Sequence, residues 1–275
     1  LIILLLSSAI LINTKLTTGE FTNKDISLKG GLLITIQTKE QLDTDQIQKD
    51  IQDQIQASAR VKQLKNIGGG ILGYTIEADS HDSEALKQAI TKATNFQFTE
   101  GTYTIEEMSS ALSETFFNSA IKAVLIAFLL MAIVVFIYFR KFAPSIAIIL
   151  SAVTDIIAVL AIMNIFGINL STAGIAAILM LIGYSIDTDI LLSTRVLKRT
   201  DRSVTDRICS AVKTGMTMQT TTLVAMIIVL IVSPALILKQ IALIMVAGLL
   251  VDLPSTWLQN AGLLRWYLEA KHEQA

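Results

Sequence analysis

The stretch Leu181-Ile182-Gly183-Tyr184-Ser185-Ile186-Asp187-Thr188-Asp189-Ile190-Leu191-Leu192 sets two carboxylates inside an apolar run long enough to cross a bilayer. Between residues 170 and 192 the only other ionisable group is the Tyr184 phenol. A carboxylate at bilayer depth costs about 2.5–3.5 kcal/mol even on lenient insertion scales, so it faces protein or water. It then takes part in ion or proton movement, or it only hydrogen-bonds a neighbouring helix. Two residues along a helix is about 200°, so Asp187 and Asp189 point to nearly opposite sides and cannot both line one seam. Asp189 lies closer to the charged run that begins at Arg195, which gives it an easier route to water or a cation. Asp187 is therefore the acid expected to carry any ion step, with Gly183 one turn earlier permitting close approach of another helix.

Outward from this run, 52% of the 275 residues are hydrophobic and only 16% are charged, with a mean hydropathy of +0.60. That is too apolar for an ordinary soluble domain of this size and reads as a polytopic α-helical membrane protein. A net charge of -1 gives no basic field for nucleic acid. Cys209 is the single cysteine, so neither an internal disulfide nor a cysteine-based metal site is expected, and His81 and His272 are too few for a buried histidine cluster. No metal and no cofactor is expected.

The apolar residues 1–12 read as a first transmembrane helix, truncated at its start. Residues 13–118 are the segment able to form a water-soluble domain. Within it, 26–38 reads as a strand with a bulge or close backbone approach at Gly30-Gly31. Ile47, Ile51 and Ile55 recur four apart in a helix over 44–59, capped by Asp43 or Thr44. A hairpin follows from 61–67 and 71–78 around Gly68-Gly69-Gly70, then a helix over 80–94 capped by Ser80, then a strand over 96–105. Strand, helix, strand, strand, helix, strand is the order of an α+β ferredoxin-like domain. Neither glycine cluster has phosphate-loop spacing, and no nucleophile or paired-carboxylate constellation marks an enzyme site.

From residue 119 to 262 apolar runs alternate with short polar joints. Five spans are expected, at 121–139, 144–163, 171–192, 215–232 and 241–259, which with the first helix makes six. Residues 263–275 form a tail. Pro144 sits at a helix start, Pro234 just past a helix end, and Pro254 inside the last span, where it should kink the chain. Arg140, Lys141, Arg195, Lys198, Arg199, Arg202, Arg207, Lys213, Arg265 and Lys271 fall on one side of these spans. The positive-inside rule then puts 193–214 and the C-terminus in the cytoplasm and the soluble domain outside. Asp155 and Asp252 lie near the middle of their spans, and no buried cation is at hand for them. They must be protonated, wet, or bonded to hydroxyls and backbone. Thr217, Gln219, Thr220, Thr221 and Thr222 make the 215–232 span polar at the depth of Asp187, so Thr220 and Thr221 are candidate partners, unless these hydroxyls bond their own i-4 carbonyls. Gly174 and Gly248, with Gly183, are candidate helix-packing positions.

The run from Gly183 through Asp189 to Arg195-Val196-Leu197-Lys198-Arg199 resembles the fourth-helix motif of the archaeal SecF branch of the SecD/SecF protein-export family. Gly30-Gly31, Thr214-Gly215, Thr220-Thr221-Thr222-Leu223, Gly248-Leu249-Leu250-Val251-Asp252, Thr256-Trp257 and Asn260-Ala261-Gly262 extend the likeness over nearly the whole chain. The resemblance implies six spans, one large outer domain after the first, and an RND-like membrane fold. It implies partnership with a SecD-like membrane protein and the Sec translocon channel on a translocating polypeptide and, for bacterial members, proton-driven assistance to export. Bacterial SecF has Asn-Asp where this chain has Asp187-Thr188, so Asp187 matches the acid of the corresponding SecD stretch. Bacterial SecF also carries an arginine where Thr214 stands here.

The chain therefore reads as a SecF-like accessory subunit in the cytoplasmic membrane, among membrane lipids, and not as an enzyme. Ala173, Gly174, Ala176 and Ala177 offer a face for a partner helix. Two alternatives are an RND-type exporter of lipids or small molecules and a non-transporting scaffold for SecD and the channel. The orientation is tested by protease added outside sealed cells: cleavage is expected within 13–118 and not within 193–214, and the opposite pattern overturns it.

Overall fold

The computed structural model describes residues 1–65, 70–198, 203–233 and 235–273. Two compact units emerge, one of Leu1–Asn23 with Ile121–Ala275 and one of Lys24–Ala120, and the division falls within a single long helix.

In the Lys24–Ala120 unit a short helix α2 (Ile26–Lys29) precedes β1 (Gly31–Ile36), so the strand expected over 26–38 is shorter and starts later. The reason lies in Gly30 and Gly31. At φ +86 Gly30 ends the helical turn, and a Cβ on Gly31 would stand 2.4 Å from the Ala78 carbonyl oxygen of the neighbouring strand. The chain continues through α3 (Thr44–Ile55), β2 (Ala59–Lys65), β3 (Ile71–Ala78), α4 (Ser83–Thr94) and β4 (Tyr103–Met108). The sheet order is β2-β3-β1-β4 with every neighbouring pair antiparallel. Gly68 and Gly69 of the expected hairpin turn lie outside the described residues. Asp43 caps α3 by accepting from the backbone N–H of Asp45 and Gln46. Asp82, rather than Ser80, caps α4 in the same way through Glu84 and Ala85. The last strand begins at Tyr103 because Phe96 and Phe98 pack onto the core with Tyr103 in edge-to-face contacts, and a turn closed by Thr102 N–H to the Thr99 carbonyl intervenes. One face of the sheet (Leu32, Ile34, Ile36, Tyr74, Ile76) packs with Ile47 and Ile51 of α3 and Leu86 and Ile90 of α4. The one polar tip in that core is satisfied: the Tyr74 hydroxyl donates to the Glu40 carbonyl and accepts from Leu42 N–H and Gln63 Nε2.

Among the described residues five helices are long and apolar enough to cross a membrane: 112–139, 142–165, 172–198, 204–232 and 237–269. They correspond to α5 (Ser110–Phe139), α6 (Phe142–Ile165), α7 (Thr172–Lys198), α8 (Val204–Val232) and α9 (Leu236–Pro254) continued by further helix. The shorter apolar helix α1 (Ile2–Thr18) packs on α6. The loop expected over 193–214 is largely helical. Ser203 caps α8 through the Asp206 N–H, and Leu192, Val196, Ala211 and Leu264 form a buried apolar cluster that carries α7 and α8 past their most apolar stretches. Arg199 and Arg202 lie outside the described residues, as does Pro234. Pro254 does more than kink its helix. It is followed by a π-helical turn, Ser255–Asn260, closed by the Ala261 N–H to the Thr256 carbonyl, and then by α10 (Ala261–Glu273).

Close backbone approach holds these helices together at particular glycines. A Cβ on Gly248 of α9 would stand 2.3 Å from Leu181 Cδ2, and one on Gly174 of α7 would stand 3.2 Å from Ile244 Cδ1. Gly183 faces open space in this chain, so no helix of this chain packs against it. Overpacking a filled core costs about 1–3 kcal/mol, which is the expected loss for Gly248→Ala. Leu181→Ala costs about 2–5 kcal/mol by itself, and combined with Gly248→Ala the two losses should sum to less than their separate values, whereas Gly183→Ala should cost nothing. Thermal unfolding of the purified chain in detergent measures all three, and equal effects at Gly248 and Gly183 contradict the packing.

Candidate functional site

Three helices, α6, α7 and α9, each bury one aspartate at a common node. Asp189 and Asp252 are fully buried and Asp155 is 2% exposed. Asp155 accepts from the Ser185 hydroxyl of α7 at 2.5 Å and from the Ser255 hydroxyl. Asp189 Oδ1 accepts from Asn260 Nδ2 at 2.6 Å and lies 3.1 Å from the Thr256 hydroxyl. Asp252 Oδ2 accepts from Gln219 Nε2 of α8 at 2.6 Å, and its Oδ1 lies 3.0 Å from the same Thr256 hydroxyl. No lysine, arginine or histidine among the described residues donates to any of the three. The node is built from hydroxyl and amide donors alone, the arrangement left to a buried acid that has no counter-ion.

The π-helical turn supplies most of those donors. Its wider turn brings Ser255, Thr256 and Asn260 inward together below Asp252, all four fully buried. On the other side, Gly215 and Gln219 of α8 are one turn apart. A Cβ on Gly215 would stand 2.1 Å from Trp257 Cζ2, so the missing side chain leaves room for the indole against α8. From there Trp257 Nε1 donates to Gln219 Oε1 at 2.6 Å. An indole N–H can only donate, so this bond fixes the Gln219 amide with its NH2 toward Asp252.

The expected site residues divide. Asp155, Asp189 and Asp252 come together. Asp187, the acid expected to carry any ion step, instead lies exposed on the outer face of α7, away from the node, and Thr220 and Thr221 are exposed on α8. The α8 hydroxyls turn to their own helix: Thr217 bonds the Lys213 carbonyl, Thr221 those of Thr217 and Met218, and Thr222 that of Met218. Gly174 and Ala177 are buried within this chain, so the small-residue face expected for a partner is partly used internally, while Ala176 remains exposed. Gln219 stood among the polar candidates of its span, whereas Ser185, Ser255, Thr256, Asn260 and Trp257 carry no such expectation from the sequence. Their signal is spacing, since Ser255, Thr256 and Asn260 follow Asp252 at three, four and eight residues, along one helix face.

Residues 87–270 match the family model described as protein export membrane protein SecD/SecF, C-terminal. The protein-export membrane protein SecF of Methanocaldococcus jannaschii is 42% identical over 251 residues, covering 89% of this chain and 87% of that one. SecF of Pyrococcus furiosus is 39% identical over 280 residues, covering 99% and 90%. Among solved structures, SecDF of Thermus thermophilus, a translocon-associated membrane protein, superposes with a TM-score of 0.77 at 20% identity. The match covers 97% of this chain and 37% of that one.

Removing a buried partner costs about 1–3 kcal/mol for the group left unsatisfied. Gln219→Leu strands both Asp252 Oδ2 and Trp257 Nε1, and a loss of that order in thermal stability is expected, with a shift in tryptophan emission. Trp266 is 71% exposed and serves as the internal reference. Unchanged emission and stability contradict the bonding described.

Proposed function

The chain belongs to the SecD/SecF family of protein-export membrane proteins, and from that premise we propose that it works as the SecF-type accessory subunit of the protein translocase, with an ion or proton step at the Asp155–Asp189–Asp252 node. The observation that carries the site assignment is the burial of three aspartates on three helices with only hydroxyl and amide donors around them. Such a node changes charge only when a proton or ion enters, so it links charge movement to helix packing. Asp187, Thr220 and Thr221 belong to this reading as the polar part of the outer α7 and α8 surface, at the level where an ion or a partner helix would meet the node.

A SecD-like membrane protein and the translocon channel are the proposed partners, supported by the likeness to the translocon-associated SecDF of Thermus thermophilus, of which this chain spans 37%. The smaller unit is read as ferredoxin-like, supported by its β2-β3-β1-β4 antiparallel order with α3 and α4 as the two crossover helices. Counting α1 with the five longer helices supports a six-span membrane domain. The basic residues near the ends of α5 and α7 support a cytoplasmic C-terminus and an extracytoplasmic smaller unit. The competing reading is a scaffold whose acids serve packing alone.

Substitution by asparagine keeps size and most hydrogen bonding while removing the charge change. Asp155→Asn, Asp189→Asn and Asp252→Asn should each leave expression and co-purification with the SecD-like partner intact and abolish stimulation of export. Asp187→Asn should retain most of it. Export measured in cells lacking the native subunit decides: four active variants establish the scaffold, and loss at Asp187 alone returns the step to the outer face.

A further inference from the structure

The Thr256 hydroxyl has one hydrogen and two acid neighbours, Asp252 Oδ1 at 3.0 Å and Asp189 Oδ1 at 3.1 Å. It can donate to one of them. The other contact is then a bond only if that carboxyl carries a proton and donates to the Thr256 oxygen. Two anions sharing a single hydrogen in a fully buried node without a cation is the costly alternative. Unlike Thr217, Thr221 and Thr222 of α8, Thr256 bonds no carbonyl one turn back in its own helix, so its hydroxyl is free for this use. The remaining oxygens are consistent with a single shared proton. Asp252 Oδ2 is committed as an acceptor by the Trp257–Gln219 pair, and Asp189 Oδ1 accepts from Asn260, while the Ser151 hydroxyl of α6 also faces the Asp189 carboxyl.

Resting on the assignment of the ion step to this node, we propose that Thr256 relays one proton between Asp252 and Asp189. With Asp252 protonated, its Oδ1–H donates to Thr256 Oγ1, whose own hydrogen points to Asp189. When the Asp252 O–H bond breaks and its hydrogen joins Thr256 Oγ1, the hydrogen already on that oxygen passes to Asp189 Oδ1. One carboxyl loses a proton, the other gains it, and Thr256 ends as it began with its hydrogen turned the other way. The other titratable groups facing the pair are Asp155 from α6 and Tyr184 from α7. From α8 it meets the neutral Gln219, and on α10 Arg265 is paired outside the node with exposed Glu269.

The test is the pH dependence of the carboxyl infrared bands of the full chain in lipid vesicles carrying isotope-labelled aspartate, assigned with Asp189→Asn and Asp252→Asn. In the wild-type chain and in Thr256→Ser, which keeps the hydroxyl, the pair should release its protons in two steps, and at the half-titrated point both acids should show the protonated-carboxyl band, because one proton exchanges between them. In Thr256→Val, which keeps the shape, that band should belong to one acid alone. A band divided between both acids in Thr256→Val, or confined to one in Thr256→Ser, overturns the relay. Should Thr256→Val fail to assemble, Thr256→Ala takes its place and is read in the same way. No partner or export activity is needed, so a chain inactive in export with the divided band intact refutes the functional reading and leaves the relay standing.

Discussion

A carboxylate held in an apolar interior without a cation needs its lone pairs met by neutral donors, and the larger, apolar helical unit is arranged around meeting that need three times. Each acid comes from a different helix and each draws donors from another: Asp155 of α6 from Ser185 and Ser255, Asp189 of α7 from Asn260, and Asp252 of α9 from Gln219 of α8. The bonds therefore tie four helices into one polar node. Breaking any strand of it leaves a buried group unsatisfied, which costs far more than the net gain of making one exposed bond.

Two local devices make the node fit. Pro254 has no N–H to continue the helical ladder, and the wide π-helical turn that follows gathers Ser255, Thr256 and Asn260 toward the acids. Gly215 and Gly248 remove side chains where Trp257 and Leu181 must lie. The indole then orients the Gln219 amide, and Leu181 seals the contact of α7 with α9. A proline and two glycines, all poor helix formers, thus sit where regular helix would have kept the polar groups apart. The Lys24–Ala120 unit follows a different logic. The sheet face that packs on α3 and α4 is apolar apart from the hydrogen-bonded Tyr74 hydroxyl, and α3 and α4 begin on aspartate caps.

Much was readable from the chain itself because it depends on residues close in sequence. Apolar runs of spanning length determined the membrane helices, the four-residue recurrence of Ile47, Ile51 and Ile55 determined the buried side of α3, and acids within apolar runs marked the helices that meet at the node. The same local reasoning separated Asp187 from Asp189 by about 200°. It could say that one faces in and the other out, but not which, because a helix has no inside until something packs against it. Packing of α6 and α9 on α7 decided for Asp189. Likewise the threonines of α8 and Gln219 looked equivalent in the sequence, and only the seat of Trp257 on Gly215 selected the glutamine. Pro254 announced a break in the helix, while the π-helical turn that uses that break depends on where Asp155 and Asp189 stand, on helices some 65 to 100 residues away. Sequence alone determined which segments are long and apolar enough to cross a membrane and which of them carry acids. The choice of acid, of donor and of facing side belonged to the tertiary structure, because each is a property of contact between helices and not of any one helix.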